Sequence, residues 1–220
     1  MDPRLLSKGR TEMKTVALAA LWVAIVAEAI WIGMRVHLHG SFHGVQYALF
    51  STLGFAMLGI TRGRYRWIAT ALRMFIGFAF LSAVLDRFGV YGAAGAPGVA
   101  WGNFKIFTIY TRMVNAFLPV AVIPALAVVE TVIEAVLGVA MLIGAGLRAT
   151  VWASTVLLFS FAVAMTGSLG FASQAPYAVF VFAAGCWVLA TIDTTFLSVD
   201  ALWARFGGKG AETLQPTEDA

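Results

Sequence analysis

The sequence predicts an all-α membrane protein of six spans: a four-helix bundle preceded by an N-terminal two-span hairpin, with an amphipathic interfacial helix in the third loop. Three observations predict it. Hydrophobic residues make up 60% of the 220 and charged residues 12%, roughly half the charge a soluble domain carries. Mean hydropathy is +0.86. The apolar residues also gather into runs close to the ~20 residues that cross hydrocarbon.

The runs can be taken in order. "TVALAALWVAIVAEAIWIGM" (15–34) qualifies despite Glu28, and is too long an apolar region for a cleaved leader. "VQYALFSTLGFAMLGI" (45–60) is short but free of charge. "IATALRMFIGFAFLSAVL" (68–85) carries Arg73, and a segment from Phe117 to Ile143 carries Glu130 and Glu134. "ATVWASTVLLFSFAVAMTG" (149–167) and "PYAVFVFAAGCWVLATI" (176–192) complete six. This divides the chain into a hairpin (1–67), a four-span bundle (68–192) and a tail (193–220) expected to be disordered, since "GGKGAETLQPTEDA" has no apolar periodicity. Glycines at 54, 59, 138 and 144 allow close helix approach. Pro124, in the first turns of the fourth span, removes a backbone hydrogen bond there and can kink the helix.

The third loop, 86–119, begins with a Gly-, Ala- and Pro-rich stretch and then turns helical. Asn103 can cap a helix in which Phe104, Phe107, Tyr110 or Thr111, and Val114 share one face. Trp101 and Tyr110 would then lie at headgroup level. Such a helix either plugs a gap between spans or covers a site.

Charge fixes orientation and excludes one class of partner. Arg4, Lys8, Arg10, Lys14, Arg62, Arg64, Arg66, Arg148, Arg205 and Lys209 fall on one side of the membrane; Arg35, Arg87, Lys105 and Arg112 fall on the other. The positive-inside rule therefore puts both termini in the cytoplasm, as expected for a multi-pass inner-membrane protein. The net charge of +4 comes from the ends of apolar runs. No basic face with interleaved aromatics exists, so nucleic acid is not an expected partner. Cys186 is the only cysteine, sits in an apolar run, and supplies no dithiol chemistry.

The chemistry concentrates in "VVETVIEAVLGVAMLIG" (128–144), where Glu130 and Glu134 are one turn apart and share a face. A charge at the bilayer centre costs about 2.5–3.5 kcal/mol on insertion scales. Two adjacent anions in low dielectric cannot both stay ionised cheaply. Counting depth from the helix ends, Arg73 is the expected partner of Glu134, leaving Glu130 as the neutral acid. Asp86 and Arg87 close the third span. Arg there suits the helix dipole; alternatively the two residues form an outer gate, hydrogen-bonded to the loop "GAAGAPGVAWGN". Glu28 is expected to face the core or carry a proton.

Three stretches resemble the DoxX family of bacterial membrane proteins, whose relatives include DoxD, the small subunit of thiosulfate:quinone oxidoreductase. They are "LRMFIGFAFLSAVLDRFGVYGAAGAPGVAWGNFKIFTIYT", "VVETVIEAVLGVAMLIGAGLR" and "FAVAMTGSLGFASQAPYAVFVFAAG". The specific elements are Arg73 before Gly77, D-R-x-G at Asp86, Arg87 and Gly89, G-x-P-x-x-x-W-G-N, and Glu134 with Gly138, Gly144 and Arg148. The likeness covers 68–192 and implies a four-helix DoxX-like bundle with a redox association; residues 1–67 depart from it. With the acids, it implies a quinone or quinol headgroup near Arg73, Glu130 and Glu134, with Asp86, Arg87, Trp101 and Asn103 as further ligand-binding candidates. No flavin fingerprint, haem histidine pair or iron–sulfur cysteine set accompanies them, so electrons would come from a soluble or membrane partner subunit.

His37, His39 and His43 in "RVHLHGSFHG" form a candidate surface site for zinc or copper. Two other function classes stay open: a non-catalytic anchor or assembly partner recruiting a soluble oxidoreductase through Arg62–Arg66, and a small-solute transporter using the acids for protons. No inverted repeat with broken helices supports the latter. The oligomeric state is likewise open.

Overall fold

The computed structural model describes residues 3–42 and 44–212, which form helices and connecting turns with no strand among them. The helices are α1 (Pro3–His39), α2 (Gln46–Thr61), α3 (Arg66–Arg87), α4 (Phe104–Val114), α5 (Ile123–Ile143), α6 (Leu147–Leu169), α7 (Phe171–Gln174), α8 (Val179–Thr191) and α9 (Val199–Glu212). Four are long and apolar enough to cross a membrane: α1 from Thr11 onward, α3, α5 with its preceding turn, and α6. Phe171–Tyr177 and Val179–Thr191 make a fifth candidate, broken by a 60° bend. The chain is thus a multi-pass helical membrane protein.

Two of the expected spans differ in form. α2 has 16 residues, about 24 Å at 1.5 Å each, and so falls short of an untilted crossing of hydrocarbon ~30 Å thick. The run 176–192 is not one straight helix. Ala178 takes a left-handed conformation (φ 51°), and α8 restarts after it, its Phe180 N–H donating to Gln174 Oε1 at 3.3 Å.

All long helices run antiparallel to their neighbours in sequence, giving two ends. The terminal end carries the start of α1 and α9; the distal end carries the connections before α2, around α4 and between α6 and α8. The main packing partners are α6 with α8, α3 with α5, and α1 with α8 and α2. α1 thus packs against α8 as well as against α2. Its buried stripe of Ala17, Leu21, Ile25, Glu28 and Ile32 faces inward, as a 3.6-residue period requires. Glu28 is 1% exposed, and neither of its oxygens has a hydrogen-bond partner among the described residues.

The α3–α5 crossing fixes the register of the candidate site. A Cβ on Gly77 would lie 2.9 Å from Gly138 O, and one on Gly138 would lie 3.1 Å from Gly77 O. The two backbones touch there, the small-residue packing that membrane helices use for close approach.

Asn103 caps α4 as expected, its Oδ1 accepting from Ile106 N–H at 2.9 Å. Phe107, Thr111 and Val114 are the buried face. Replacing Asn103 by Ala should cost about 1 kcal/mol of helix stability. The expected result is roughly fivefold faster amide hydrogen exchange at Phe104–Phe107, with exchange in α3 and α5 unchanged.

Two expectations are corrected at the helix ends. Pro124 occupies the first turn of α5, after a 3-10 turn over Val120–Val122, where its missing N–H has no helical partner to lose. It starts the helix and does not kink it. The segment after 192 is also not a disordered tail through its described part. Arg66 pairs with Asp193, whose carboxyl is held below the usual carboxylate range chiefly by hydrogen bonds from the Thr195 hydroxyl and amide. Thr70 donates to Phe196 O (3.1 Å) and Arg73 to Leu197 O (2.9 Å). Asp200 accepts from Gly146 and Leu147 N–H (2.8 and 2.7 Å). Ser198 accepts from Ala201 N–H at the start of α9. Residues 213–220 lie outside the described residues.

Candidate functional site

Arg87 and Glu134 form the centre. Arg87 is the last residue of α3 and Glu134 sits midway along α5; they are 3% and 2% exposed. The Arg87 Nη2 lies 2.7 and 2.8 Å from the two Glu134 oxygens, and Nη1 donates to Thr131 Oγ1 at 2.8 Å. Thr131 in turn donates to Ala127 O. The guanidinium carbon lies 3.8 Å from the Phe107 ring centroid and 5.3 Å from that of Trp101, within cation–π range.

This corrects the expected pairing of Arg73 with Glu134. Counting residues gave similar depths, but side-chain direction decides the outcome. Every Cα–Cβ bond tilts toward its helix N-terminus. α3 begins at the terminal end, so Arg73 points toward that end, where its Nη1 lies beside Gly144 and its Nη2 reaches Leu197 O. α5 begins at the distal end, so Glu134 points the other way. Arg87, nearer the distal end of α3, points back down its helix and meets Glu134 head on. Arg73 is fully buried, with no hydrogen-bond partner for Nε and Nη1 among the described residues, and belongs to the terminal-end network.

Asp86 performs the loop-fixing expected of an outer gate. Its Oδ2 accepts from Ala100 and Trp101 N–H at 3.0 and 2.9 Å, holding Trp101 edge-on to Phe107 at 5.2 Å between centroids. Consecutive residues of one helix end therefore divide the work. Asp86 secures the loop, while Arg87 turns inward beneath it.

Beside the pair is a cavity of about 190 Å³, walled by Arg87, Trp101, Phe107, Tyr110, Glu130 and Glu134, with Tyr47, Tyr177 and Phe182 on other sides. Glu130 is half-buried on this wall and, unlike Glu134, makes no hydrogen bond or ion pair among the described residues. A cavity of about 150 Å³ admits benzene, so this one has room for a single substituted six-membered ring. Its apolar, aromatic walls and few converging polar groups are what small-molecule sites share.

Comparisons with protein-family models, curated proteins and solved structures find no match to this chain.

Among the sequence candidates, the fold brings together Arg87, Trp101, Glu130 and Glu134. Asp86 supports them from the adjoining position. Asn103 is exposed and engaged as a helix cap, and Arg73 is remote. Thr131, Phe107, Tyr110, Tyr47, Tyr177 and Phe182 were not read as site residues. Thr131 had a usable signal, being three residues before Glu134 on the same face. Tyr47 and Tyr177 come from α2 and the broken segment, and nothing local in the sequence marks them.

The structure places two of the three histidines. α1 runs through His39, so His37 and His39 are helical and, two apart, point to different faces. His39 Nε2 lies 2.8 Å from Arg35 Nη1, a cation where a metal would need the lone pair. His43 lies outside the described residues, and no cluster of three metal-ligating side chains occurs among the described ones.

Proposed function

We propose that this chain is the integral membrane subunit of a redox-linked assembly and seats a quinone or quinol headgroup in the distal cavity. The observation that carries the reading is Glu130: an acid with no hydrogen bond or ion pair among the described residues, on the wall of an apolar, ring-sized cavity, one turn from a neutralised Arg87–Glu134 pair. When bound, the headgroup supplies the redox centre and the proton-coupled chemistry. Glu130 holds the proton at its carboxyl oxygen and hydrogen-bonds the headgroup. Arg87 and Glu134, locked together, set the field of the cavity without adding net charge. Trp101 and Phe107 keep water from the pair, and Asp86 holds Trp101 in position. Electrons come from a partner subunit.

The resemblance of residues 68–192 to the DoxX family supports this reading. In it, α2 crosses locally thinned bilayer, and the broken α7–α8 pair completes six spans. The terminal end, with exposed Arg62, Arg64 and Arg148, is cytoplasmic in the inner membrane.

The test is solvent extraction of the protein purified in mild detergent. Native protein should carry quinone. Glu130→Leu keeps the volume but removes the hydrogen-bonding group, and should lower quinone content about tenfold, the worth of a hydrogen bond of roughly 1.5 kcal/mol. Failure to find quinone, together with no quenching of Trp101 fluorescence by an added short-chain quinone, would refute the reading. The exposed Arg62 and Arg64 favour a second one, a non-catalytic anchor for a soluble oxidoreductase. Its signature is the converse: quinone content indifferent to Glu130→Leu, with assembly lost on replacing those arginines by Gln.

A further inference from the structure

The start of α9 is fixed and its exposed side is apolar. Asp200 ties it to the first turn of α6 through Gly146 and Leu147 N–H, and Ser198 caps it. Arg73 and Thr70 hold the carbonyls of Leu197 and Phe196 just before it. Because α6 is a span, α9 leaves the bundle at the level where hydrocarbon ends. Val199, Leu202, Trp203 and Phe206 recur at i, i+3, i+4 and i+7, one stripe of a helix. Leu202, Trp203 and Phe206 are 51%, 75% and 74% exposed, and the exposed Arg205 flanks them. A stable protein interface takes about 800 Å² per partner from 20–30 residues, which four side chains cannot supply. A membrane surface needs only an apolar stripe, an interfacial Trp and flanking basic charge.

We propose that α9 lies in the plane of the terminal-end leaflet as an interfacial helix, with Leu202, Trp203 and Phe206 in the acyl–headgroup boundary and Arg205 on anionic phospholipid headgroups. The bundle thereby carries an in-plane lipid sensor directly linked to α3 and α6. The inference stands independently of the quinone reading.

The test is spin labelling of the full chain in vesicles, with Trp203→Cys, Phe206→Cys and, on the opposite face, Ala204→Cys. Cys186 is sealed in the core, and the unsubstituted chain serves as the labelling control. In phosphatidylcholine vesicles containing phosphatidylglycerol, labels at 203 and 206 should collide with oxygen and be shielded from a water-soluble nickel chelate. The label at 204 should show the reverse. Omitting phosphatidylglycerol, or adding Arg205→Gln, should lower the docked-to-free ratio in the spectra about fivefold, the effect of one basic residue near an anionic surface. Chelate access at 203 and 206 equal to that at 204 would overturn the proposal. So would docking indifferent to phosphatidylglycerol. Shielding from both reagents that vanishes on dilution would assign the stripe to a second copy instead. Should Trp203→Cys disturb the helix, Phe206→Cys gives the same readout with Trp203 in place.

Discussion

Glu134→Leu should lower the protein's unfolding free energy by about 3–5 kcal/mol, because it leaves the Arg87 guanidinium buried and uncompensated. The carboxylate it removes is the guanidinium's charge partner at 2.7 and 2.8 Å, and Thr131 and the two aromatic rings cannot neutralise a cation. The double substitution Arg87→Met with Glu134→Leu removes both charges and fills similar volume, so most of that loss should be recovered. Thermal unfolding in detergent, run as a double-mutant cycle, measures the coupling. A double variant as unstable as the single one would mean that Arg87 holds the fold through Thr131 and the rings, not through the charge. The cycle also separates stability from binding: the double variant should fold and yet lose quinone, since the field shaping the cavity has gone.

The second large effect is expected at the α3–α5 crossing. Gly77→Val places a branched side chain where even a Cβ would meet Gly138 O and the Met141 Cβ, each at 2.9 Å. Backbone cannot yield as a flexible side-chain tip can, so the helices must separate. Overpacking costs about 1–3 kcal/mol in cores, and the upper part of that range is expected here. The separation would also draw Arg87 away from Glu134. The measurement is a fall in unfolding temperature together with increased carbodiimide labelling of Glu134, and unaltered labelling would place the strain elsewhere. Gly54→Ala is the matched control. Its Cβ meets only the Leu72 side-chain tip, at 3.3 Å, and a small change is expected.

What the sequence made legible follows from which forces are local. Apolar runs reveal helices because hydrocarbon demands satisfied backbone at every position, and Asn103 revealed the start of α4 because capping acts over three residues. Glu134 could be read as facing a guanidinium, since a buried acid needs one. Which guanidinium could not be read by counting depth; it depends on the directions in which antiparallel helices aim their side chains and on the Gly77–Gly138 contact. The break at Ala178 was illegible because alanine carries no turn signal, yet it takes a left-handed φ of 51°. The described part of α9 escaped notice because its stripe is four residues long and its anchoring acid, Asp200, acts on backbone 53 and 54 positions away.

The pairing of α1 with α8 has a consequence for biogenesis. α1 finds its neighbour α8 only after the residues between them have been made. At about 5–20 residues per second, the chain between them takes on the order of ten seconds to synthesise. Through that interval the Glu28 stripe has no α8 to cover it, so α1 must wait, its acid neutral or shielded by the insertion machinery, until α8 arrives and seals it.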